Sequence, residues 1–284
     1  MHNQQRALYA LLQNGTSSQE VILDCMDAAC WRASLDRNPV DESALLGLTT
    51  HLLEQGNKAG VIDMLKIYYP LNSDTSNQST LIRNQQLTCS YMEGLLGSPD
   101  TTRAVLQIAE QFRQLNDPMK PCVYNNYIQA LLNLRYYVDS YEVSVEFTRA
   151  YPRLPVAHAW MAQSLSVLER NAEAAPVLHV ARVLVLQNSV VSTDTPMLKR
   201  MGDTFYYLNE TSAAEQMYSL AFPFVRLDLQ KGEYCHMLQR LGRLHIELNQ
   251  TEIAYVELLQ SMRDCGTSSE TYLYLGKKIV LGTG

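Results

Sequence analysis

The sequence predicts an all-α chain folded as a right-handed solenoid of antiparallel helical hairpins. Three observations lead there. Apolar residues recur with helical spacing almost throughout, and Asn14-Gly15 is the only dipeptide of the type that closes a tight strand hairpin. Prolines fall between the periodic segments, at Pro39, Pro70, Pro99, Pro118, Pro121, Pro152, Pro155 and Pro196. Small residues return in register at a fixed interval, the mark of a repeated supersecondary unit.

In chain order, residues 3–37 read as two helices, with Ser17 or Ser18 a fitting N-cap. A window with Gly47 and Ala59 fits the small-residue register at two positions, and the polar run Asn72 to Ser79 reads as a loop. The stretch around Ala104 and Ala109 is a helical hairpin with little signature. A window with Ala130, Val143, Phe147, Ala150 and Pro155 fits with one inserted residue. Pro176 falls near a helix start, where its missing N–H is tolerated, and Pro223 kinks or ends its helix. The periodicity amounts to about thirteen helices.

The register is clearest in three C-terminal windows, aligned on Ala162, Gly202 and Gly242. Ala174, Ala214 and Ala254 follow, then Ala181, Ala221 and Ser261. Apolar positions match as well: Met161, Met201 and Leu241, then Leu178, Tyr218 and Leu258. Polar turns fall at Glu169-Arg170-Asn171, at 208–211 and at 248–251. Two antiparallel helices approach closely only where neither carries a bulky side chain at the crossing, and larger apolar residues then fill the space between successive hairpins.

This pattern resembles the tetratricopeptide repeat, whose small signature positions coincide with those nine residues. The family's usual aromatic positions on the first helix are taken here by His158, Leu198 and Leu238, and by Leu165, Phe205 and His245. The resemblance divides the chain into an N-terminal cap or extension (1–40), degenerate hairpins (41–154) and well-formed repeats (155–284). It implies a C-terminal capping helix around Tyr272, Leu275 and Gly276, and a function in binding protein or peptide.

A formal net charge of −6 disfavours a phosphate-gripping role, so nucleic acid is not an expected partner. The most apolar stretch, 177–191, is too short and too polar to insert in a membrane. No secretory pattern is read at the N-terminus, and lysines (7) are few beside arginines (16), so the expected setting is bacterial and cytoplasmic. The six cysteines, Cys25, Cys30, Cys89, Cys122, Cys235 and Cys265, are sparse and scattered, and read as free thiols packed in helices. Asn-x-Ser/Thr triplets at Asn14, Asn77, Asn209 and Asn249 read as turn residues.

No phosphate loop, nucleophile elbow or zinc-binding helix motif is present, and Gly276-Lys277-Lys278 lacks the residues such a phosphate loop needs. His236 and His245 point to opposite sides of a straight helix, and His245 takes a core position. Adjacent Cys235 and His236 diverge. The acidic pairs Glu142/Glu146 and Glu169/Glu173 suit helix starts and turns. No cofactor, metal or catalytic residue is therefore expected, and the chain reads as a non-enzyme.

The informative constellation is the face lined by the first helices. Helical spacing places Ala159, Gln163, Ser166 and Val167 there, then Lys199, Asp203, Tyr206 and Tyr207, then Gln239, Arg243, Ile246 and Glu247, with Trp160, Arg200 and Arg240 beside them. Tyr, Trp and Arg are the residue types that dominate binding hot spots. The expected partner-binding groove is Trp160, Gln163, Lys199, Asp203, Tyr206, Tyr207, Gln239, Arg240, Arg243 and Glu247. The Lys/Asn clamp by which some family members hold chaperone tails is not matched, since Lys199 is followed by Asp203 and the next unit offers Gln239. The expected function is a scaffold or adaptor, as in a bacterial assembly factor or chaperone. A homo-oligomer is compatible with it. The alternatives are a regulatory repeat domain of a larger protein and an enzyme with an unrecognised His or Cys site.

Overall fold

The computed structural model describes residues 27–39, 41–68, 85–96, 98–114, 119–187, 194–225 and 231–266. The N-caps Ser17 and Ser18, the triplets at Asn14 and Asn77, Cys25, the loop 72–79 and the capping segment around Gly276 lie outside these residues. Among the described residues the chain is all-α. Its helices are α1 (Ala28–Arg37), α2 (Glu42–Glu54), α3 (Lys58–Tyr68), α4 (Gln85–Leu95), α5 (Pro99–Gln114), α6 (Pro121–Asn133), α7 (Tyr137–Ala150), α8 (Pro155–Val167), α9 (Asn171–Gln187), α10 (Thr195–Tyr207), α11 (Thr211–Ala221), α12 (Lys231–Glu247) and α13 (Thr251–Cys265). Helix α11 ends one residue before the short 3-10 turn Phe222–Phe224, where Pro223 removes an N–H donor.

Consecutive helices pair as hairpins, from α2/α3 to α12/α13, and α1 covers the open side of α2. Each second helix also packs on the first helix of the next hairpin, and α2, α4, α6, α8 and α10 contact one another in succession. This is the solenoid that the small-residue register predicts.

One turn recurs with the same backbone. Gly56, Arg135, Glu169, Asn209 and Asn249 all have φ between 59 and 70. In each, the residue's N–H donates to the carbonyl three residues back, and the next N–H donates to the carbonyl five residues back. That pair of bonds caps the first helix and reverses the chain. Glycine reaches this left-handed region freely and asparagine tolerates it, whereas arginine and glutamate do not favour it. Arg135 therefore hides its turn from a search for glycine and asparagine, while the run Glu169-Arg170-Asn171 marks the next one by its polarity.

The turns fix the register of the whole stack. Five residues after each lies Val61, Ser140, Ala174, Ala214 or Ala254, all buried. Seven residues before each lies Thr49, Ile128, Ala162, Gly202 or Gly242, also buried. A Cβ added to Gly202 would stand 3.0 Å from the Tyr218 ring, and one added to Gly242 2.8 Å from the Leu258 side chain, so the small residues sit where the two helices of a hairpin touch. In α6/α7 the aligned residues are Ile128, Ser140 and Phe147, with no insertion, in place of the register read from Ala130. The Ser140 hydroxyl meets Ser164 on α8 at 3.1 Å. In α2/α3 they are Thr49 and Val61, in place of Gly47 and Ala59. Gly47 is small for another reason: Trp31 of α1 lies on it, and a Cβ there would meet the indole at 2.5 Å.

The free-thiol expectation is overturned. Cys89 on α4 is bonded to Cys122 on α6, and Cys235 on α12 to Cys265 at the end of α13, with Cα separations of 5.8 and 5.7 Å. Cys30 is disulfide-bonded too. The partners lie 33 and 30 residues apart: stacking of neighbouring first helices brings Cys89 to Cys122, and the antiparallel hairpin brings the start of α12 to the end of α13.

Two outcomes follow for stability. Glu169→Gly removes the left-handed penalty and should raise the unfolding free energy by roughly 0.5–1 kcal/mol, while Asn209→Gly changes it little, as read from urea midpoints. Replacing Cys235 and Cys265 together by Ser should lower it by about 3 kcal/mol, and a reducing agent should then move the midpoint of the double variant less than that of the wild type.

Candidate functional site

The first helices carry polar side chains on a shared face. In the N-terminal half this face holds a cleft of about 400 Å³ between α2, α4 and α6. Thr50, Gln86, Ser90, Asn125 and Asn126 line it, and the Cys89–Cys122 disulfide forms part of its wall. Asn126 donates to the Cys89 carbonyl at 3.0 Å, which ties α6 to α4 at the cleft. Glu93 also borders it, open to water yet walled by protein, and desolvation raises its carboxyl pKa despite the opposing charge of Lys58. Sequence reasoning missed this half because its register was misread by two residues.

In the C-terminal half, Trp160 departs from expectation. It is 1% exposed and cannot serve as an open contact for a partner. Its indole N–H donates to Asn125 Oδ1 at 2.9 Å, and the Arg200 guanidinium lies over its ring at 3.2 Å. Ala159 and Ser166 are buried as well and do not line an open surface. Helices α6, α8 and α10 meet here, because Arg200 Nη1 donates to Gln163 Oε1 at 3.0 Å and to Gln129 Oε1 at 3.4 Å. No carboxylate pairs with Arg200 among the described residues, and its Nε is buried without a hydrogen-bond partner. Desolvation, only partly offset by Asp194 and Asp203, pulls its pKa down to about 9. A depressed pKa on a cation means that the charge costs folding free energy at neutral pH, and that this cost is relieved as pH rises through 9 toward the unfolded value.

The remaining predicted residues divide into a cluster and its edge. Lys199 Nζ lies 3.2 Å from Asp203 and 3.4 Å from Glu233 of α12. Asp203 also accepts a hydrogen bond from the buried Tyr218 hydroxyl of α11, whose pKa burial and that carboxylate raise. Arg240 and Arg243 stand over the Tyr206 ring at 4.5 and 5.0 Å. The Tyr206 hydroxyl and His236 Nδ1 are buried without hydrogen-bond partners, and burial lowers the His236 pKa. Arg243 pairs with Glu247 at 3.1 Å. Tyr207 is 57% exposed, and Gln239 is half-buried on α12.

Other candidates have structural partners. His245 is 6% exposed, with Nδ1 at 2.6 Å from Glu257 and Nε2 at 3.5 Å from Glu215, so it joins α12 to α11 and α13. Glu146 accepts from Tyr124 at 2.9 Å and pairs with Arg113 at 3.0 Å, while Glu110 accepts from Tyr127. Glu173 pairs with Arg170. Tyr124 and Tyr127 thus pack in the core with their hydroxyls bonded at its rim, as expected of tyrosine in a thin solenoid.

No family model and no curated protein matches the chain. Solved structures similar to it include pilF of Pseudomonas aeruginosa, at 17% identity over 86% of this chain and 100% of that one, with a TM-score of 0.48. MamA from Desulfovibrio magneticus RS-1, residue 41 to its end, is 18% identical over 66% of this chain and 94% of its own, with a TM-score of 0.41. YrrB, described as a TPR protein with an unusual peptide-binding site, is 13% identical over 88% and 100%, with a TM-score of 0.40. The tetratricopeptide-like character of this fold rests on its own recurring turns and small-residue seams.

The geometry separates support from recognition. Trp160→Ala should cost about 3–4 kcal/mol, because it empties a core site and strands Asn125. Arg200→Met should change stability by no more than about 1 kcal/mol, because removal of a desolvated charge offsets the lost hydrogen bonds to Gln163 and Gln129 and the lost stacking on Trp160. Urea titration of the two variants checks both.

Proposed function

We propose that the chain is a protein- or peptide-binding scaffold, without catalytic activity of its own, whose partner lies along the first-helix face. The observation that carries this reading is where the polar groups gather. Glu146, Tyr218 and Glu257 of the second helices are bonded into the fold, although Ser261 Oγ of α13 is buried without a partner, whereas α10 and α12 hold aromatic-stacked arginines and three such polar atoms, Arg200 Nε, Tyr206 Oη and His236 Nδ1. Arginine stacked on an aromatic ring keeps a polar edge, and with the exposed Tyr207 these are residue types that dominate binding hot spots. The few lysines beside many arginines support a bacterial host, and the likeness to repeat proteins of this size supports a role as assembly factor or chaperone.

The compartment reads differently from the cytoplasm expected of the sequence. Every described cysteine is in a disulfide, and disulfides of this kind persist where the surroundings are oxidising. No described helix is long and apolar enough to cross a membrane.

Affinity capture with mass spectrometry tests the scaffold. A specific partner recovered by the wild-type chain should be lost with Tyr207→Ala combined with Arg243→Glu, while the helical circular dichroism is unchanged. Recovery of the same proteins by the variant and the wild type would count against the first-helix face as the site.

A further inference from the structure

Arg200 and Arg240 occupy the same place in successive units, 40 residues apart, and Trp160 holds that place one unit earlier. Each arginine lies on an aromatic ring, Arg200 on Trp160 and Arg240 on Tyr206. Neither has a carboxylate partner among the described residues. The neighbouring charges are already matched, Lys199 by Asp203 and Glu233, and Arg243 by Glu247. The face of α10 and α12 therefore carries two oriented cations at one-repeat spacing, each without a direct carboxylate partner among the described residues. Stacking leaves the edge of the Arg240 guanidinium for hydrogen bonding, whereas Arg200 gives Nη1 to Gln163 and Gln129 and encloses Nε, so that Nη2 is what it offers a carboxylate.

We propose that the bound segment is acidic, with side-chain carboxylates pairing with Arg200 and Arg240 along the row. This rests on the scaffold reading and specifies its partner's chemistry. Charge alone argues the other way, because the chain carries −6 and its general field favours a cationic ligand. A preference for acidic segments has to arise from this row.

The test is fluorescence anisotropy at low salt with three end-blocked, labelled decapeptides of alternating Gly with Glu, Gln or Lys. The Glu probe should bind at least about tenfold more tightly than the Gln or Lys probe, the effect of one to two charge-assisted pairs. Arg200→Gln with Arg240→Gln should remove that advantage, whereas Arg149→Gln with Arg153→Gln, exposed and outside the row, should keep it. Trp160 emission and circular dichroism report whether each variant stays folded. If the arginine pair cannot be replaced without unfolding, Gln163→Glu supplies an internal carboxylate to Arg200 and should weaken the Glu probe in its place. A Lys probe that binds best, or Glu binding unchanged by these substitutions, overturns the proposal. A Gln probe with a free C-terminus that binds as tightly as the Glu probe overturns the side-chain assignment. A captured partner that is indifferent to Arg200 and Arg240 but lost with Tyr207 and Arg243 would leave the scaffold standing and remove only the acidic segment.

Discussion

The close approach of the two helices in each hairpin is the contact on which everything else depends. At Gly202 and Gly242 the facing side chains, Tyr218 and Leu258, already fill the space that a Cβ would take. Such an approach requires the first helix to stop and reverse at one fixed residue, and the left-handed turn at Asn209 or Asn249 does this. Turn and seam are thus one device: the turn sets where the second helix begins, and five residues later a small or buried side chain meets the first. Repeated from Gly56 to Asn249, the device aligns the first helices side by side, and their shared face exists only because of that alignment.

A shared face made in this way places residues from distant units against one another. Gln129, Gln163 and Arg200 come from three helices, and Trp160 and Asn125 complete the group. The group joins a support to a charge. Trp160 and Asn125 belong to the packed core, with their polar atoms matched. Arg200 is held in place without a carboxylate, and desolvation weighs against its charge.

The disulfides extend the same logic of stacking. Cys89 and Cys122 join the first helices of neighbouring hairpins at the wall of the polar cleft, and Cys235 and Cys265 close the two helices of one hairpin. A solenoid is held only by nearest neighbours, so cross-links at its seams resist local opening where a globular core would rely on many distant contacts.

Helical periodicity, proline placement and the in-phase series Ala174, Ala214 and Ala254 were enough to determine an all-α solenoid and the register of its C-terminal half, because these features are local or repeat identically. The same series pointed to Lys199, Asp203, Tyr206 and Arg243 on one face. What tertiary structure decided is whatever depends on neighbours that the sequence does not mark. Arg135 adopts a conformation that its side chain does not advertise, so the register of α6/α7 emerged only from the backbone. Gly47 imitated a repeat residue while making room for Trp31. Trp160 carried the composition of a hot spot but became a buried platform once Arg200 closed over it. Cys89 and Cys122 paired because stacking sets successive first helices side by side, and Cys235 and Cys265 because the antiparallel hairpin brings the start of α12 to the end of α13.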